Sequence, residues 1–324
     1  MKRVLTAVIL IPIVVVVLFR APLWLFTLLV LGVALLAARE YYGIVKAQGY
    51  TPFAGLGYAF VAVSIAVLYM FATVLTRQPT EPALRGGVIY ELAYFGGIPA
   101  ITFLPPLVLL LLSLGHEPLS KVLPDAATSY VVLPYVAFTL GCLVLLRSSR
   151  NGALYLLYLM LLVWCGDIAA YYVGRAIGKH KLAARISPGK TWEGAIASVV
   201  GAVIVGLLLF RSINLIANDL EQMRLFTPAP HATIWPPPTN GWAFPPAPLW
   251  LVAILAICVN IAAQLGDLVE SALKRGAGIK DSGTLLPGHG GVLDRIDALL
   301  FALPVGLLFY LFGMHRYFAL RASP

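Results

Sequence analysis

Carboxylates and basic residues cluster at the junction of the last two apolar runs of this chain. If a helix continues from the first of these runs, one of its faces carries Asp267, Glu270, Ser271 and Lys274. Asp294 and Asp297 share a face at the start of the helix that follows. Carboxylate oxygens suit a hard divalent cation such as Mg²⁺, and the basic side chains nearby suit phosphate groups. The stretch therefore predicts a site where a metal ion and a phosphate chain meet, and the alternative is a solvated charged loop between two helices.

A second polar stretch begins inside an earlier apolar run. Asp167 lies within that run, and a carboxylate at membrane depth usually faces a partner or a water-filled cavity. Tyr171 and Gly174 follow at helical spacing on the same face, which predicts a groove that opens toward the next connection. The alternative is a structural aspartate that is hydrogen-bonded to another helix. Further along, Asn260 and Gln264 are expected to bridge helices or to line a polar cavity.

The order Gly-Lys-Thr at residues 189–191 invites comparison with a nucleotide-binding P-loop, but Ala184 stands where that motif requires glycine. Instead, Ser187 or Thr191 is expected to cap the following helix, so that its first N–H groups face an anion. Lys190 is then the expected phosphate contact. The alternative is a helix cap that binds no ligand.

The elements that position these residues are membrane helices. The chain has 324 residues, of which 60% are hydrophobic and only 11% charged, whereas soluble proteins carry about 25% charged residues. We therefore predict an all-α integral membrane protein, a polytopic bundle of about nine transmembrane helices. The nine segments are 4–19, 22–38, 53–75, 92–114, 126–146, 152–173, 192–215, 249–270 and 293–312.

These segments divide into two regions by role. Residues 1–150 are expected to form about five supporting, lipid-facing helices, and residues 151–324 a catalytic region with cytoplasmic loops at 174–191 and 271–293. Five basic residues fall in 174–191 and four in 271–295, and a count of the helices places both connections on the cytoplasmic side. The proline-rich connection 216–248 is expected on the outer face.

The net charge of +9 comes without a basic block, so no nucleic-acid partner is expected. Basic residues in a membrane protein set topology and attract anionic headgroups. One predicted helix carries small residues at four-residue intervals, namely Gly194, Ser198, Ala202 and Gly206. Such a stripe lets another helix approach closely, either from this chain or from a second copy in a homodimer.

The run from Ser271 to Asp297 resembles the signature of the phosphatidate cytidylyltransferases, also called CDP-diacylglycerol synthases. Residues 187–194 resemble a second block of that family, although Gly189 replaces a lysine. The resemblance extends from Trp164 to Asp297. It implies a multi-pass enzyme of the inner (plasma) membrane that transfers CMP from CTP to phosphatidate, giving CDP-diacylglycerol and pyrophosphate for phospholipid biosynthesis. It further implies Mg²⁺, allows a second cation, and makes CTP, phosphatidate and other membrane lipid the partners.

With this activity in view, each candidate residue has an expected role. Asp267 and Asp294 are expected to bind the metal ion, and both are expected to act in catalysis with Asp297 and Lys274. The residues expected to bind substrate are Asp167, Ser187, Lys190, Thr191, Ser271, Arg275, Lys280, Asp281, His289 and Arg295.

Three other functions fit parts of the pattern. A CTP-dependent polyprenol or lipid kinase would transfer the γ-phosphoryl group instead of CMP. A related cytidylyltransferase would act on an ether-linked lipid. An ion-coupled transporter would use its intramembrane carboxylates to bind cations, although most of the charge here sits at helix ends.

Overall fold

A computed structural model describes residues 12–76, 96–115, 117–149, 151–224, 248–285 and 290–313. Long helices dominate it, because apolar runs in lipid must satisfy their backbone hydrogen bonds internally. Residues 12–20 are helical. The labelled helices are α1 (Leu23–Ala47), α2 (Ala54–Thr76), α3 (Ile98–Ser113), α4 (Val122–Val132), α5 (Phe138–Ser148), α6 (Gly152–Ile177), α7 (Trp192–Gln222), α8 (Leu249–Gly276) and α9 (Leu293–Leu308), and the strands are β1 (Lys181–Ala183) and β2 (Ser187–Thr191).

Within the described residues, six helical spans are long and apolar enough to cross a membrane. They are Leu23–Ala47, Ala54–Thr73, Leu119–Ser148, Gly152–Ile177, Trp192–Ser212 and Leu249–Gly276. The prediction of a polytopic, all-α membrane protein is therefore confirmed, but the count of about nine helices is not.

Three predicted segments account for the difference in count. The helix at Ile98–Ser113 has 16 residues, fewer than the ~20 that a span needs. The last helix, Leu293–Leu308, is equally short and continues as a π-turn at Phe309–Gly313. The segment predicted at 4–19 lies largely outside the described residues. Most of the proline-rich connection also falls outside them, at 225–247.

Contacts divide the chain into two compact units. Unit A comprises Met1–Ala21, Arg150–Ala272 and Asp297–Pro324, and unit B comprises Pro22–Ser149 and Leu273–Ile296. Unit A thus contains α6, the two strands and α7, with most of α8 and α9. Unit B contains α1 to α5 and the segment that carries most of the C-terminal signature.

The closest helix packing in unit A joins α6 and α7 through the stripe of small residues on α7. A Cβ added to Gly194 would lie 3.0 Å from the carbonyl oxygen of Ala170 on α6. Ser198 and Ala202 are fully buried. The neighbour that the stripe predicts is therefore a helix of this same chain, held close because no side chain separates the two backbones.

A polar connection joins α7 to α8 in unit A. The buried Asn260 amide donates to Ser198 Oγ at 3.1 Å. Gln264 Nε2 donates to Asn260 Oδ1 at 2.8 Å and to the Ala195 carbonyl at 3.2 Å. The prediction that Asn260 and Gln264 bridge helices is confirmed, and in lipid such bonds satisfy polar groups that water cannot reach.

In unit B, α1 packs against α2 and α5, and α3 packs against α4. The hydroxyls of Tyr41 and Tyr42 each donate to a backbone carbonyl at 3.0 Å, those of Thr128 and Ser129 on α4. Near the end of α1, Gln48 Nε2 donates to the Leu273 carbonyl at 3.0 Å. This bond joins α1 to the segment 273–296 within the unit.

Candidate active site

A short β-hairpin joins α6 to α7. Strands β1 and β2 are antiparallel, with Lys181 opposite Thr191 and Ala183 opposite Ser187. The Ile186 N–H donates to the Ala183 carbonyl at 3.1 Å and closes the turn. The sequence predicts only a loop at 174–191, and the structure shows that this connection contains a hairpin. It gives Lys190 and Thr191 a fixed place at the start of α7.

Thr191 is the N-cap of α7. Its backbone is extended, with φ −127° and ψ 154°, and its side-chain oxygen accepts the Gly194 N–H at 3.2 Å. Ser187 lies in β2, so of the two predicted caps Thr191 is the one that forms. A second contact supports the junction, because Glu193 in the first turn of α7 accepts the His180 backbone N–H at 3.2 Å.

A cavity of about 480 Å³ lies within unit A, beside this hairpin. Its polar lining comes from α6, β2, α7 and α8, and includes Asp167, Arg175, Lys190, Thr191 and Asp267. Its volume falls in the range of about 300–1,000 Å³ that small-molecule sites occupy. Tyr171 and Gly174 line it together with Asp167, so the groove that the helical spacing predicts is present.

Lys190 and Asp267 form an ion pair in the cavity, with Nζ 2.8 Å from Oδ2. The Lys190 side chain is 24% exposed and the Asp267 side chain 41%. Ser271 Oγ, one turn further along α8, donates to Asp267 Oδ1 at 3.3 Å. Both charges are thus open to water and can exchange their partners for ligands.

The cavity brings two carboxylates to one place, those of Asp167 and Asp267. The described residues contain no group of three or more His, Cys, Asp or Glu side chains that could hold a metal ion. Mg²⁺ commonly binds only one or two protein carboxylates and completes its shell with phosphate oxygens and water. The donor set therefore fits a magnesium ion that arrives with a phosphorylated ligand.

A second lysine–aspartate pair lies in unit B. Lys274 Nζ is 2.5 Å from Asp294 Oδ1, and the side chains are only 12% and 7% exposed. The other oxygen, Oδ2, accepts the backbone N–H of Ser282 at 3.0 Å and that of Gly291 at 2.7 Å. Asp294 therefore holds the two ends of the loop that precedes α9.

Glu40 of α1 reaches the same loop within unit B. Its Oε1 accepts the Val292 N–H at 2.9 Å, and its Oε2 accepts the Leu293 N–H and Ser282 Oγ, both at 2.8 Å. Glu40 is not among the candidate residues that the sequence predicts. One signal was available, since Glu40 is the first acidic residue in the chain and follows an apolar run.

Arg175 is a second residue that the sequence analysis missed. It lines the cavity of unit A, and its Nη1 donates to the Tyr171 hydroxyl at 3.0 Å. Its position four residues after Tyr171 was the available signal, because that spacing places it on the face that carries Asp167.

The remaining predicted residues do not belong to the lining of the cavity in unit A, or they fall outside the described part of the chain. Asp297, in unit A, accepts the Ala298 N–H on Oδ1 at 2.8 Å. Arg275 is exposed and donates to the Ile279 carbonyl at 3.4 Å. Lys280, Asp281 and Arg295 are also exposed. His289 falls within 286–289, outside the described residues.

Fold and cavity together define a polytopic α-helical membrane protein with a charged cavity beside a hairpin between two of its helices. The model of the cytidylyltransferase family matches residues 1–312, and the chain belongs to that family. It is similar to a phosphatidate cytidylyltransferase of Brucella suis biovar 1, with 43% identity over 180 residues, 55% of this chain and 54% of the relative. A protein of the same name from Staphylococcus haemolyticus is 36% identical over 181 residues, 56% of this chain and 57% of the relative. The matched part thus spans just over half the length of these curated relatives.

Proposed function

We propose that this protein is a CTP:phosphatidate cytidylyltransferase, which transfers CMP from CTP to phosphatidate and releases pyrophosphate. The observation that carries the proposal is the meeting of Asp167, Lys190 and Asp267 in one cavity beside the hairpin between α6 and α7. Membership of the cytidylyltransferase family and the names of the similar proteins support it.

The charges of the cavity fit the two proposed substrates. Lys190 and Arg175 offer cationic donors to phosphate oxygens, and Thr191 fixes the first turn of α7, where N–H groups favour an anion. The helices around the cavity are long and apolar enough to lie in a bilayer. Acyl chains of phosphatidate can therefore stay in lipid while the headgroup reaches the polar lining.

The proposed reaction is a displacement at the α-phosphorus of CTP. A phosphate oxygen of phosphatidate forms the new P–O bond, the bond between the α-phosphorus and the bridging oxygen breaks, and pyrophosphate leaves with that oxygen. The attacking phosphomonoester is already anionic near neutral pH, so it needs little deprotonation. What the protein must supply is in-line placement and neutralisation of like charges. We assign the neutralising role in the cavity of unit A to Lys190 and Arg175, and we separately propose a catalytic role for Lys274 in unit B.

We retain Asp267 and Asp294 as proposed magnesium ligands, each argued from its own contacts, and Asp297 as either a further ligand or a residue that supports the ligands. Bound Mg²⁺ would supply further neutralisation of phosphate charge. Asp267 is open to exchange because its side chain is 41% exposed. Both carboxylate oxygens of Asp294 already accept hydrogen bonds. As a metal ligand, Asp294 would therefore use the oxygen lone pairs that remain. A second cation stays a prediction.

The proposed location is the inner (plasma) membrane, with the cavity facing the cytoplasm. This side suits the substrate, because CTP is made in the cytosol, and it suits the five basic residues of the connection 174–191. A homodimer also stays a prediction, which the mass of the detergent-purified protein will test. In this structure the small-residue stripe of α7 already packs on α6 of the same chain.

The decisive experiment incubates the detergent-purified chain with Mg²⁺, a lipid and CTP labelled either at the α- or at the γ-phosphate. With phosphatidate as the lipid, we expect the α-label to appear in CDP-diacylglycerol and the γ-label to leave in pyrophosphate. Entry of the γ-label into a polyprenol would instead identify a kinase, and reaction only with an ether-linked isoprenoid phosphate would identify the related cytidylyltransferase.

Two controls complete this experiment. Chelation of Mg²⁺ is expected to stop product formation and its replacement to restore it. The same protein in liposomes tests the transporter alternative, since movement of a solute without consumption of CTP would contradict the proposed function.

A further inference from the structure

Glu40 caps the N-terminus of α9 from another helix. Its two carboxylate oxygens accept the N–H groups of Val292 and Leu293. Leu293 is the first residue of α9, and Val292 immediately precedes it. These N–H groups have no partner within the helix itself. A carboxylate at this end is favoured, because it also meets the positive end of the helix dipole.

Ser282 links Glu40 to Asp294 through its side chain and its backbone. Its hydroxyl donates to Glu40 Oε2 at 2.8 Å, and its backbone N–H donates to Asp294 Oδ2 at 3.0 Å. Asp294 in turn pairs with Lys274 through its other oxygen. A continuous set of bonds therefore runs from Glu40 to the lysine and aspartate for which we propose catalytic roles.

Two glycines of the loop make room for the Glu40 carboxylate. A Cβ added to Gly283 would lie 2.6 Å from Glu40 Oε1, and one added to Gly291 would meet both Glu40 Oε2 and Ser282 Oγ. The close approach of backbone to a carboxylate explains glycine at both positions. The described ends of the loop, at residues 282–283 and 291–293, thus both close on this one side chain of α1.

We propose that Glu40 is a positioning residue for the reaction, which holds the loop and the first turn of α9 so that Asp294 and Lys274 keep their places. This inference rests on the proposed function. It also assigns the N-terminal helices a part in catalysis, where the sequence analysis gave them only a supporting role. Glu40 acts through Ser282 and the backbone of residues 291–293 and touches no substrate in this scheme.

The test compares Glu40→Gln, Glu40→Ala and the wild type in detergent. Outer residues that orient active-site groups typically cost about 10- to 100-fold in activity when they are replaced. We expect Glu40→Ala to lower kcat by about that factor with little change in the KM for CTP. Glu40→Gln keeps the size and one acceptor oxygen, so its kcat should lie between the other two. Arg39→Gln is the matched control, because Arg39 is exposed next to Glu40 on α1, and its kcat should equal that of the wild type.

Hydrogen exchange of the same proteins separates positioning from loss of fold. We expect faster exchange of peptides that cover residues 290–296 in both Glu40 variants, and unchanged exchange in α6 and α7. Unchanged activity in Glu40→Ala would overturn the proposal. So would exchange that rises equally in all helices, since Glu40 would then support only the overall fold. If the wild type itself transfers no CMP, the proposed function fails, while faster exchange at 290–296 would still identify the Glu40 cap.

Discussion

The two lysine–aspartate pairs of this protein differ in their access to water. Lys190 and Asp267 meet in the open cavity of unit A, where their side chains are 24% and 41% exposed. Lys274 and Asp294 meet in unit B with exposures of 12% and 7%. Asp294 also accepts two backbone N–H groups. The same two residue types therefore form one pair that ligands can reach and one pair that belongs to the folded structure.

This difference predicts different consequences of mutation. An exposed ion pair contributes only about 0–1 kcal/mol to stability, because water and salt screen it. Removal of one partner from a buried pair typically costs about 3–5 kcal/mol. Substitutions in the cavity should thus change ligand binding and turnover, whereas substitutions in the buried pair should change stability as well.

The largest effect is expected for Asp294→Asn. The variant removes the negative charge that neutralises Lys274. It also removes a proposed magnesium ligand. We expect turnover to fall by at least about two orders of magnitude. We also expect the free energy of unfolding to fall by up to about 3–5 kcal/mol. Pyrophosphate release and thermal unfolding in detergent measure the two effects.

The double variant Lys274→Met, Asp294→Asn separates the loss of activity from the loss of stability. It removes both charges, so part of the lost stability should return while activity stays low. Wild-type turnover in Asp294→Asn would exclude Asp294 from the reaction. Wild-type stability in that variant would show that the buried pair behaves like the exposed one.

A loss of activity without a loss of stability is expected for Asp267→Asn. The variant keeps the shape of the side chain but removes an anion from the cavity. Turnover should fall about a hundredfold, while the free energy of unfolding should change by no more than about 1 kcal/mol. The matched control is Asp219→Asn, since Asp219 is an exposed aspartate of α7. Destabilisation of Asp267→Asn as large as that of Asp294→Asn would erase the distinction between the pairs.

Helical spacing predicted much of the cavity from the sequence. Asp167, Tyr171 and Gly174 line it together as their four- and seven-residue separations require, and Thr191 caps α7 as its residue type favours. Such information is local, because the geometry of one helix fixes which side chains share a face. The membrane class followed in the same way from composition.

Contacts between distant parts of the chain could not be predicted. Glu40 and Ser282 are 242 residues apart, and no spacing rule connects a residue of α1 to the loop before α9. The β-hairpin was also missed, because its two strands have only three and five residues and no alternating apolar pattern. The count of nine helices was not confirmed for a third reason, since apolar composition alone does not fix where a helix begins and ends.

A smaller effect is expected for Lys190→Met. In the proposed reaction Lys190 exchanges Asp267 for a phosphate of CTP, and a hydrogen bond to a charged group contributes about 1.5–3 kcal/mol. The KM for CTP should therefore rise about 10- to 100-fold, with the fold intact. Lys190→Arg keeps the charge and should bind CTP within severalfold of the wild type. An unchanged KM in Lys190→Met would mean that Lys190 does not exchange Asp267 for a phosphate of CTP.

The smallest effect is expected for Thr191→Val, which removes the oxygen that accepts the Gly194 N–H. Loss of such a cap costs about 0.5–2 kcal/mol, and thermal unfolding compared with Thr191→Ser, which keeps the oxygen, measures that loss. Gly194 lines the cavity, so a phosphate bound there can take the place of the lost acceptor. We therefore expect CTP to restore part of the stability of Thr191→Val, and to stabilise it more than it stabilises Thr191→Ser. Equal stabilisation of the two variants by CTP would indicate that the N–H groups in the first turn of α7 do not bind its phosphates. The exposed pair of Lys190 and Asp267 would then be the part of this comparison that contacts the nucleotide.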